Sequence, residues 1–539
     1  MTAVARAGRL AGRLPIWAWL LALVALSAAV RVLLSSNAPA PWIFVDELIY
    51  SELGKSAADG GPLAIREVAN NGYGYVYPYL LAPAYALFDR IPDAYDAIRI
   101  TNAVLMSSAA VPTYLLARRL ASRPLAFLAA ALAVSIPAMV YTSVVMTENA
   151  FYPLFLLAAL ALVRAIERPT PLRQALVLVA IVACFYTRSQ AVALFPALVC
   201  AYALWAVLET RAADEPLLSR HLVRRLWRFA GTWIVLAAGV VLVLAVQLGR
   251  GQPLSSLLGA YAVTTSSERY SLAGVVRWFL WHVAELDLWL GLLPFLAFVV
   301  LCTVALTRGA SPRTRVYVAA AVPLVFWLTL VVAAFALYTG NERIEERNLF
   351  YVGALFLVAL VWWLGAGLPR PRVGFGVGLL LAVALPGVLP YASFINVSAV
   401  SDTFGLLPLW AVQDHLATAA YLPAVVLVGC IAAGVLALVL PARWWLVVPA
   451  VVLAYYAAGQ APVETKTDAA SQGSLFEGIR TTPDWIDRAV PDGAEVAVVW
   501  SGAPSPLAVF ENEFFNRSVG PIYRLPTGAA LRGACPRRC

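Results

Sequence analysis

Charge is scarce in this chain. Of 539 residues only 13% are Asp, Glu, Lys or Arg, while 62% are hydrophobic. A soluble globular domain is about 45–50% apolar and about 25% charged, so that class is excluded. Histidine is rarer still. The three in the chain form no histidine-rich metal site: His221 reads as cytoplasmic, His282 lies near an outer interface and His415 lies in a late outer loop. Cysteine is sparse. Cys184, Cys200, Cys302 and Cys430 lie inside apolar runs and read as small buried hydrophobes. Cys535 and Cys539 pair as a disulfide if the C-terminus lies outside the cell and otherwise belong to a free tail. Acidic residues are the minority charge, 30 against 39 basic, for a net charge of +9. The arginines fall in short loops between apolar runs. That is the positive-inside pattern of membrane proteins rather than a nucleic-acid footprint, so a nucleic-acid partner is excluded. No internal repeat of the transporter kind is visible. No cleavable leader is visible either, because the apolar stretch 17–34 is longer than a leader's core and lacks a small-residue cleavage site.

What is present is a succession of apolar runs of roughly 20 residues, each long enough to cross a bilayer, with a mean hydropathy of +0.79. The fold class expected is an all-α polytopic membrane protein with about 13 transmembrane helices and a small extracytoplasmic C-terminal domain, α/β or β-rich. Arg6, Arg9 and Arg13 before the first helix place the N-terminus in the cytoplasm, and an odd number of crossings places the C-terminus outside. The expected domains are a transmembrane part, 1–459, and an extracytoplasmic part, 460–539. The second part is short for an independent core and finishes truncated or in disorder. Two long outer segments interrupt the first part, at 35–92 and 249–284. Within the first, Glu47 to Asp59 has apolar residues at helical spacing and is stopped by Gly60-Gly61-Pro62, as expected of a helix lying on the membrane surface. The tyrosines at 73, 75, 77 and 79 suit an interfacial belt. In the tail, 483–488 reads as a helix, 495–500 as a strand and 510–515 as a further element.

The outward loops carry ionisable residues that spacers would not need: Asp46, Glu47, Glu148, Arg188, Arg269, Arg343 and Arg347. Topology alone explains the inward arginines. This asymmetry points to an active site at the outer face. A carboxylate there can act as a general base, and arginines can offset charge on a phosphate. Each also has a plainer reading. The adjacent acids suit a helix N-terminus, and the arginines can reach for headgroups.

The stretch Trp42 to Asp59, with Asp46-Glu47 after the first helix, resembles the first-loop motif of the GT-C superfamily, polytopic glycosyltransferases that use polyprenyl-phosphate-linked sugars. The nearest branch is the protein mannosyltransferase and lipid A aminoarabinose transferase-like group. Tyr75-Val76-Tyr77-Pro78-Tyr79 resembles that group's Tyr-Pro-rich lead-in to its second helix, Thr147-Glu148-Asn149 its acid between helices 3 and 4, and Glu346-Arg347-Asn348-Leu349-Phe350-Tyr351 its late Arg-aromatic motif. The resemblance implies that Asp46 is the general base, that Glu47 supports it or joins it in holding a divalent cation, and that Arg343 and Arg347 grip the donor phosphate. Glu148 is a further catalytic candidate, and Arg188 and Arg269 are further phosphate-binding candidates. The partners implied are a polyprenyl-phosphate sugar donor, a cell-envelope glycan or glycolipid acceptor, and membrane lipid, at a plasma (inner) membrane. A divalent metal is an optional cofactor. No inserted β-trefoil domain of the protein mannosyltransferase kind is recognisable, which argues against a protein acceptor. The alternative is a transporter or flippase of a lipid-linked sugar, which predicts functional polar residues near the bilayer midplane.

Overall fold

The computed structural model describes residues 15–539 apart from 67, 71, 258–269, 340–342, 417–418, 479–481, 503–505, 526–536 and 539, and it leaves the side chains of 475–478, 537 and 538 undescribed. Helix α1 (Ile16–Ser35) leads into α2 (Asp46–Ala58). A two-residue hairpin, β1 (Ala64–Ile65) and β2 (Val68–Ala69), then turns the chain toward α3 (Val76–Leu87). Next come α4 (Ile91–Ser107), α5 (Ala110–Ala117) and α6 (Arg123–Ala133), then a 3-10 turn at Pro137–Ser143. The central layer is α7 (Glu148–Glu167), α8 (Pro171–Thr187) and α9 (Leu194–Ala212). A short basic helix, α10 (Arg220–Trp227), precedes α11 (Ala230–Arg250). Then follow α12 (Leu272–Leu290), α13 (Leu293–Ala305) and α14 (Pro312–Thr339), which packs along α9. Beyond it run α15 (Gly353–Gly365), α16 (Arg372–Ala384), α17 (Tyr391–Phe394), α18 (Ala399–Asp402), α19 (Leu407–Leu416), α20 (Leu422–Val439) and α21 (Val447–Gly478).

This is a mostly helical, multi-pass membrane architecture. The expected count of 13 crossings is not reproduced. Among the described residues seven helices are long and apolar enough to cross a bilayer, or nine if each bent pair forms one span. The difference has a physical cause. The chain from Leu272 to Ala305, much of whose first half the sequence places in an outer segment, forms α12 and α13, and Gly291 (φ +83°) and Leu292 (φ +62°) bend it by 116° between them. A second bend of 56° separates α6 from the 3-10 turn that follows it. Three further apolar helices have only 10–17 residues.

After α21 the chain forms a small α/β unit. It comprises α22 (Trp485–Ala489), β3 (Val496–Trp500), α23 (Leu507–Phe515), β4 (Val519–Arg524) and β5 (Arg537–Arg538). Strand β3 pairs parallel with β4 across α23, and β5 pairs antiparallel with β4. Helix α21 runs through position 459/460, where the sequence places a domain boundary. Its polar C-terminal half reaches toward the first outer segment, where the Ser471 hydroxyl accepts from Ala40 N (2.9 Å) and donates to Ala40 O (2.5 Å).

The α/β unit covers α2. That helix is not a free surface helix: Leu48, Tyr50, Leu53, Gly54 and Lys55 are all buried. On one side a Cβ at Gly54 would lie 2.8 Å from Tyr85 Cε2, so only glycine allows α2 and α3 to close this far. On the other side the tail supplies polar clamps. Lys55 Nζ donates to the carbonyls of Glu513 (3.1 Å) and Phe514 (2.9 Å). Arg66 grips the Glu513 carboxylate with two hydrogen bonds of 2.6 Å, and Arg90 donates to Asp484 at 2.8 Å. Phe44 stacks on Phe510 with ring centroids 6.0 Å apart. Replacing Glu513 by Ala is expected to cost about 1–2 kcal/mol, given a two-bond charged pair with a partly exposed partner. Hydrogen exchange should accelerate in 46–58; unchanged protection there would show that the tail does not brace α2.

Candidate active site

Asp46 and Glu148 are the first residues of α2 and α7, where exposed amide groups favour an anion. Arg188 immediately follows α8, and Arg347 lies in a 3-10 turn at Glu346–Asn348. Local packing fixes each segment. Tyr75 N donates to Tyr186 O at 2.6 Å. A side chain at Gly74 would collide with the Thr187 carbonyl, so glycine is required where this loop seals the end of α8. The segment 401–405 is tied to 344–346 by bonds from Thr403 Oγ1 to Ile344 O (2.5 Å) and from Gly405 N to Glu346 Oε2 (2.6 Å).

These contacts gather one network. Arg347 Nη2 donates to Asp46 at 3.0 Å, and its Nε lies 3.4 Å from Glu148 Oε1 and 3.3 Å from Asp402 Oδ1. Arg188 pairs with Glu148 at 2.6 Å and donates to Thr147 Oγ1 (2.9 Å) and to Asn348 Oδ1. Arg343 bridges Glu345 (2.8 Å) and Asp402 (3.0 Å). Asn348 Nδ2 donates to Glu345 at 2.8 Å. Glu345 N donates to His282 Nε2 (3.2 Å), so the proton of that neutral ring sits on Nδ1, facing Trp278 O at 2.8 Å. Burial, which lowers an arginine pKa, is outweighed at Arg347 by Asp402, Asp46 and Glu148 and at Arg188 by Glu148, so both are held firmly charged.

The network forms the polar side of a cavity of about 450 Å³. Asp46, Arg188, Arg343, Arg347 and Asn348 line that side, and Val331, Val332, Ala334 and Phe335 of α14 line an apolar side. The Asp46 side chain is 41% exposed, whereas that of Glu148 is wholly buried. Asp46 is therefore the carboxylate that a solute can reach. Glu148 is a buried counter-charge that orients two arginines.

Glu47, unlike Asp46, does not line the cavity. It is fully buried. One oxygen accepts from Trp42 N (2.8 Å) and Ile43 N (2.9 Å), and the other from Val145 N (2.9 Å). Through these bonds Glu47 ties the Asp46 turn to the chain entering α7. Among the described residues no three His, Cys, Asp or Glu side chains gather in a way that would hold a metal ion. Arg269 lies outside the described residues. The tyrosine cluster divides: Tyr77 is buried and donates to Asn102 Oδ1 at 2.9 Å, Tyr73 lines the cavity, and Tyr79 is exposed.

Sequence reasoning missed Asp402, Glu345, Asn348 and Gln190, whose Nε2 donates to Asn348 O at 3.1 Å. Glu345 and Asn348 carried a signal, since they stand beside Arg343 and Arg347. Asp402 carried none, because Ser401-Asp402-Thr403 looks like any polar turn.

Residues 74–246 match the model of a family described as dolichyl-phosphate-mannose-protein mannosyltransferase. No curated protein matches the chain. Among solved structures the chain is similar to ArnT from Cupriavidus metallidurans bound to undecaprenyl phosphate, at 14% identity over 95% of this chain and 86% of that one, with a TM-score of 0.48. The apo state of the same protein gives 13% identity, the same coverage and 0.46. The apo oligosaccharyltransferase of Archaeoglobus fulgidus gives 15% identity over 92% of this chain and 64% of that one, with 0.43. The family match contains the Tyr-Pro-rich lead-in, Glu148 and Arg188, so over that stretch the resemblance to polyprenyl-phosphate-dependent glycosyltransferases is supported by sequence.

Burial raises the Glu47 pKa to about 7 despite its three backbone donors. Burial and then Asp402 raise Glu345 to about 7, and burial raises Glu346 to about 7. For acids raised in the folded state, that state holds the extra protons. Their contribution is full below the unfolded value near 4.5 and is lost as pH rises through about 7. The Tm of the detergent-solubilised protein should therefore fall between about pH 5 and about pH 7.5 and level off above. Glu346→Gln should flatten that slope; a Tm that climbs through this range would contradict it.

Proposed function

We propose that this protein is a membrane glycosyltransferase that moves a monosaccharide from a polyprenyl-phosphate donor to a cell-envelope glycan or glycolipid at the outer face of the plasma membrane, with Asp46 as general base. One observation carries the reading. A reachable carboxylate and the guanidinium groups of Arg188 and Arg347 share one cavity with an apolar wall. The wall of α14 suits the first isoprene units, and the arginines suit the phosphate at their head. The family match over 74–246 supports the donor class.

The chemistry follows from the pairing of Asp46 with Arg347. While the guanidinium holds it, the carboxylate is turned to Arg347 rather than to an acceptor. A donor phosphate offers Arg347 and Arg188 a stronger acceptor with more oxygens to share, and Asp46 is released toward the acceptor sugar. It takes the hydroxyl proton as that oxygen bonds to the anomeric carbon. The bond from that carbon to the phosphate oxygen breaks, and polyprenyl phosphate leaves with the electron pair, held by the arginines. One base and one displacement give inversion at the anomeric carbon.

Asp46→Asn preserves shape and removes the base. With radiolabelled polyprenyl-phosphate sugar and native glycolipid extract, transfer should fall by about 10²–10⁴-fold while donor binding persists. Equal transfer by both proteins would remove Asp46 from the chemistry. Arg347→Lys cannot reach Asp46, Glu148 and Asp402 together with one ammonium. It should weaken donor binding about tenfold or more, read as a raised KM for the donor. An unchanged KM would show that the phosphate binds elsewhere.

A further inference from the structure

Helices α7, α8 and α9 have a second cationic end. Their other termini, with the start of α14, enclose a cavity of about 480 Å³. Helix α7 has 20 residues, so at 1.5 Å per residue this cavity lies about 30 Å from the candidate active site, one hydrocarbon thickness away. Two acids line it, and both are already neutralised. Glu167 pairs with Arg119 at 2.8 Å, and Glu209 takes two hydrogen bonds from Arg315, at 2.9 and 3.3 Å. Arg168, Arg173 and Arg313 line the same cavity and have no ion-pair partner among the described residues. Three uncompensated cations thus meet in one hollow.

Two of these arginines sit in the opening turns of long helices, Arg173 in α8 and Arg313 in α14. The positive ends of both helix dipoles therefore add to the field of the side chains. Trp205, Ile166 and Val316 supply apolar lining beside the charges. A basic hollow with apolar walls, at the ends of membrane helices, has the chemistry of a lipid headgroup site rather than of a site for a free ion.

We propose that this hollow binds the phosphate of an anionic phospholipid in the leaflet opposite the candidate active site. Arg168, Arg173 and Arg313 engage the phosphate, and the apolar lining receives the first part of the acyl region. The site is separate from the transfer chemistry and stands whether or not that reading holds.

The test uses the full-length protein in nanodiscs of equal phosphatidylglycerol and phosphatidylcholine, with retained lipid read by native mass spectrometry. Phosphatidylglycerol should be retained in preference, and the double variant Arg168→Gln/Arg313→Gln should lower that preference about tenfold or more, as expected for the loss of two charge-assisted contacts to one phosphate. Both residues are exposed, so folding should survive and Tm should be unchanged. Arg220→Gln/Arg224→Gln on α10 removes equal charge outside the hollow. It should leave retention unchanged; an equal loss there would show generic attraction to basic charge and overturn the site. Unchanged retention in Arg168→Gln/Arg313→Gln would also overturn it. So would displacement of the lipid by millimolar inorganic phosphate, which would make the hollow a free-phosphate site.

Discussion

Arg347 organises the candidate active site. Its guanidinium is buried among carboxylates from three distant stretches of chain, and Asp46 stands 301 positions away. A buried cation without such company would carry a desolvation penalty of several kcal/mol. The requirement works in both directions. Arg347 is held charged by Asp402, Asp46 and Glu148, and those acids are drawn to one place because it is there. Asp402 and Glu148 have side chains no more than 1% exposed and are committed to their arginines, whereas Asp46 keeps a face to the cavity. The network therefore has one member that can leave without stranding a buried charge. In the proposed function that member is also the base.

A network of this kind needs a rigid frame, and the frame is made from backbone contacts more than from side-chain pairs. Glu47 spends both oxygens on the amides of Trp42, Ile43 and Val145. It thereby locks the start of α2 to the stretch of chain that enters α7, and so fixes the distance between Asp46 and Glu148. Gly74 has a similar part at the end of α8, where no side chain would fit. From the outside, the α/β unit holds α2 through Lys55 and Arg66. A tail whose composition suggested a separate domain is thus part of the support for the first outer loop.

The sequence made some of this legible and hid the rest for identifiable reasons. Asp46, Glu148, Arg188 and Arg347 were readable because ionisable residues at the ends of apolar runs are costly and stand out. The helix at Asp46–Ala58 and its stop at Gly60 were readable from spacing and from glycine. Its burial was not, because α3 covers only one side and the other is covered by residues 458 and more positions away. The role of Glu47 was hidden by its neighbour: two adjacent acids look alike until the backbone shows that one points inward. Asp402 was invisible because its partners are set by tertiary structure alone. The crossing count failed because hydropathy registers neither bends, such as the one at Gly291 and Leu292, nor the shortness of three of the apolar helices. The boundary near 460 reflects a change in composition along α21, which turns polar midway while its helix continues.

The two cationic ends of α7–α9 raise the question of a path between them, which a flippase would require. The residues between the ends answer it physically. Along α7, from Phe151 to Val163, the side chains are aliphatic or aromatic with Pro153 among them. Along α8, from Ala175 to Phe185, every side chain is apolar, with Cys184 the least so. Carrying a phosphate along those faces would strip its hydration with no donor to replace it, at a cost far beyond that of a single unpaired polar group. The faces of α7 and α8 therefore offer no polar path from one end to the other. An arginine cluster at each mouth with no polar path along α7 or α8 between them suits a catalyst that takes its lipid donor sideways from one leaflet while its opposite end is moored to the other.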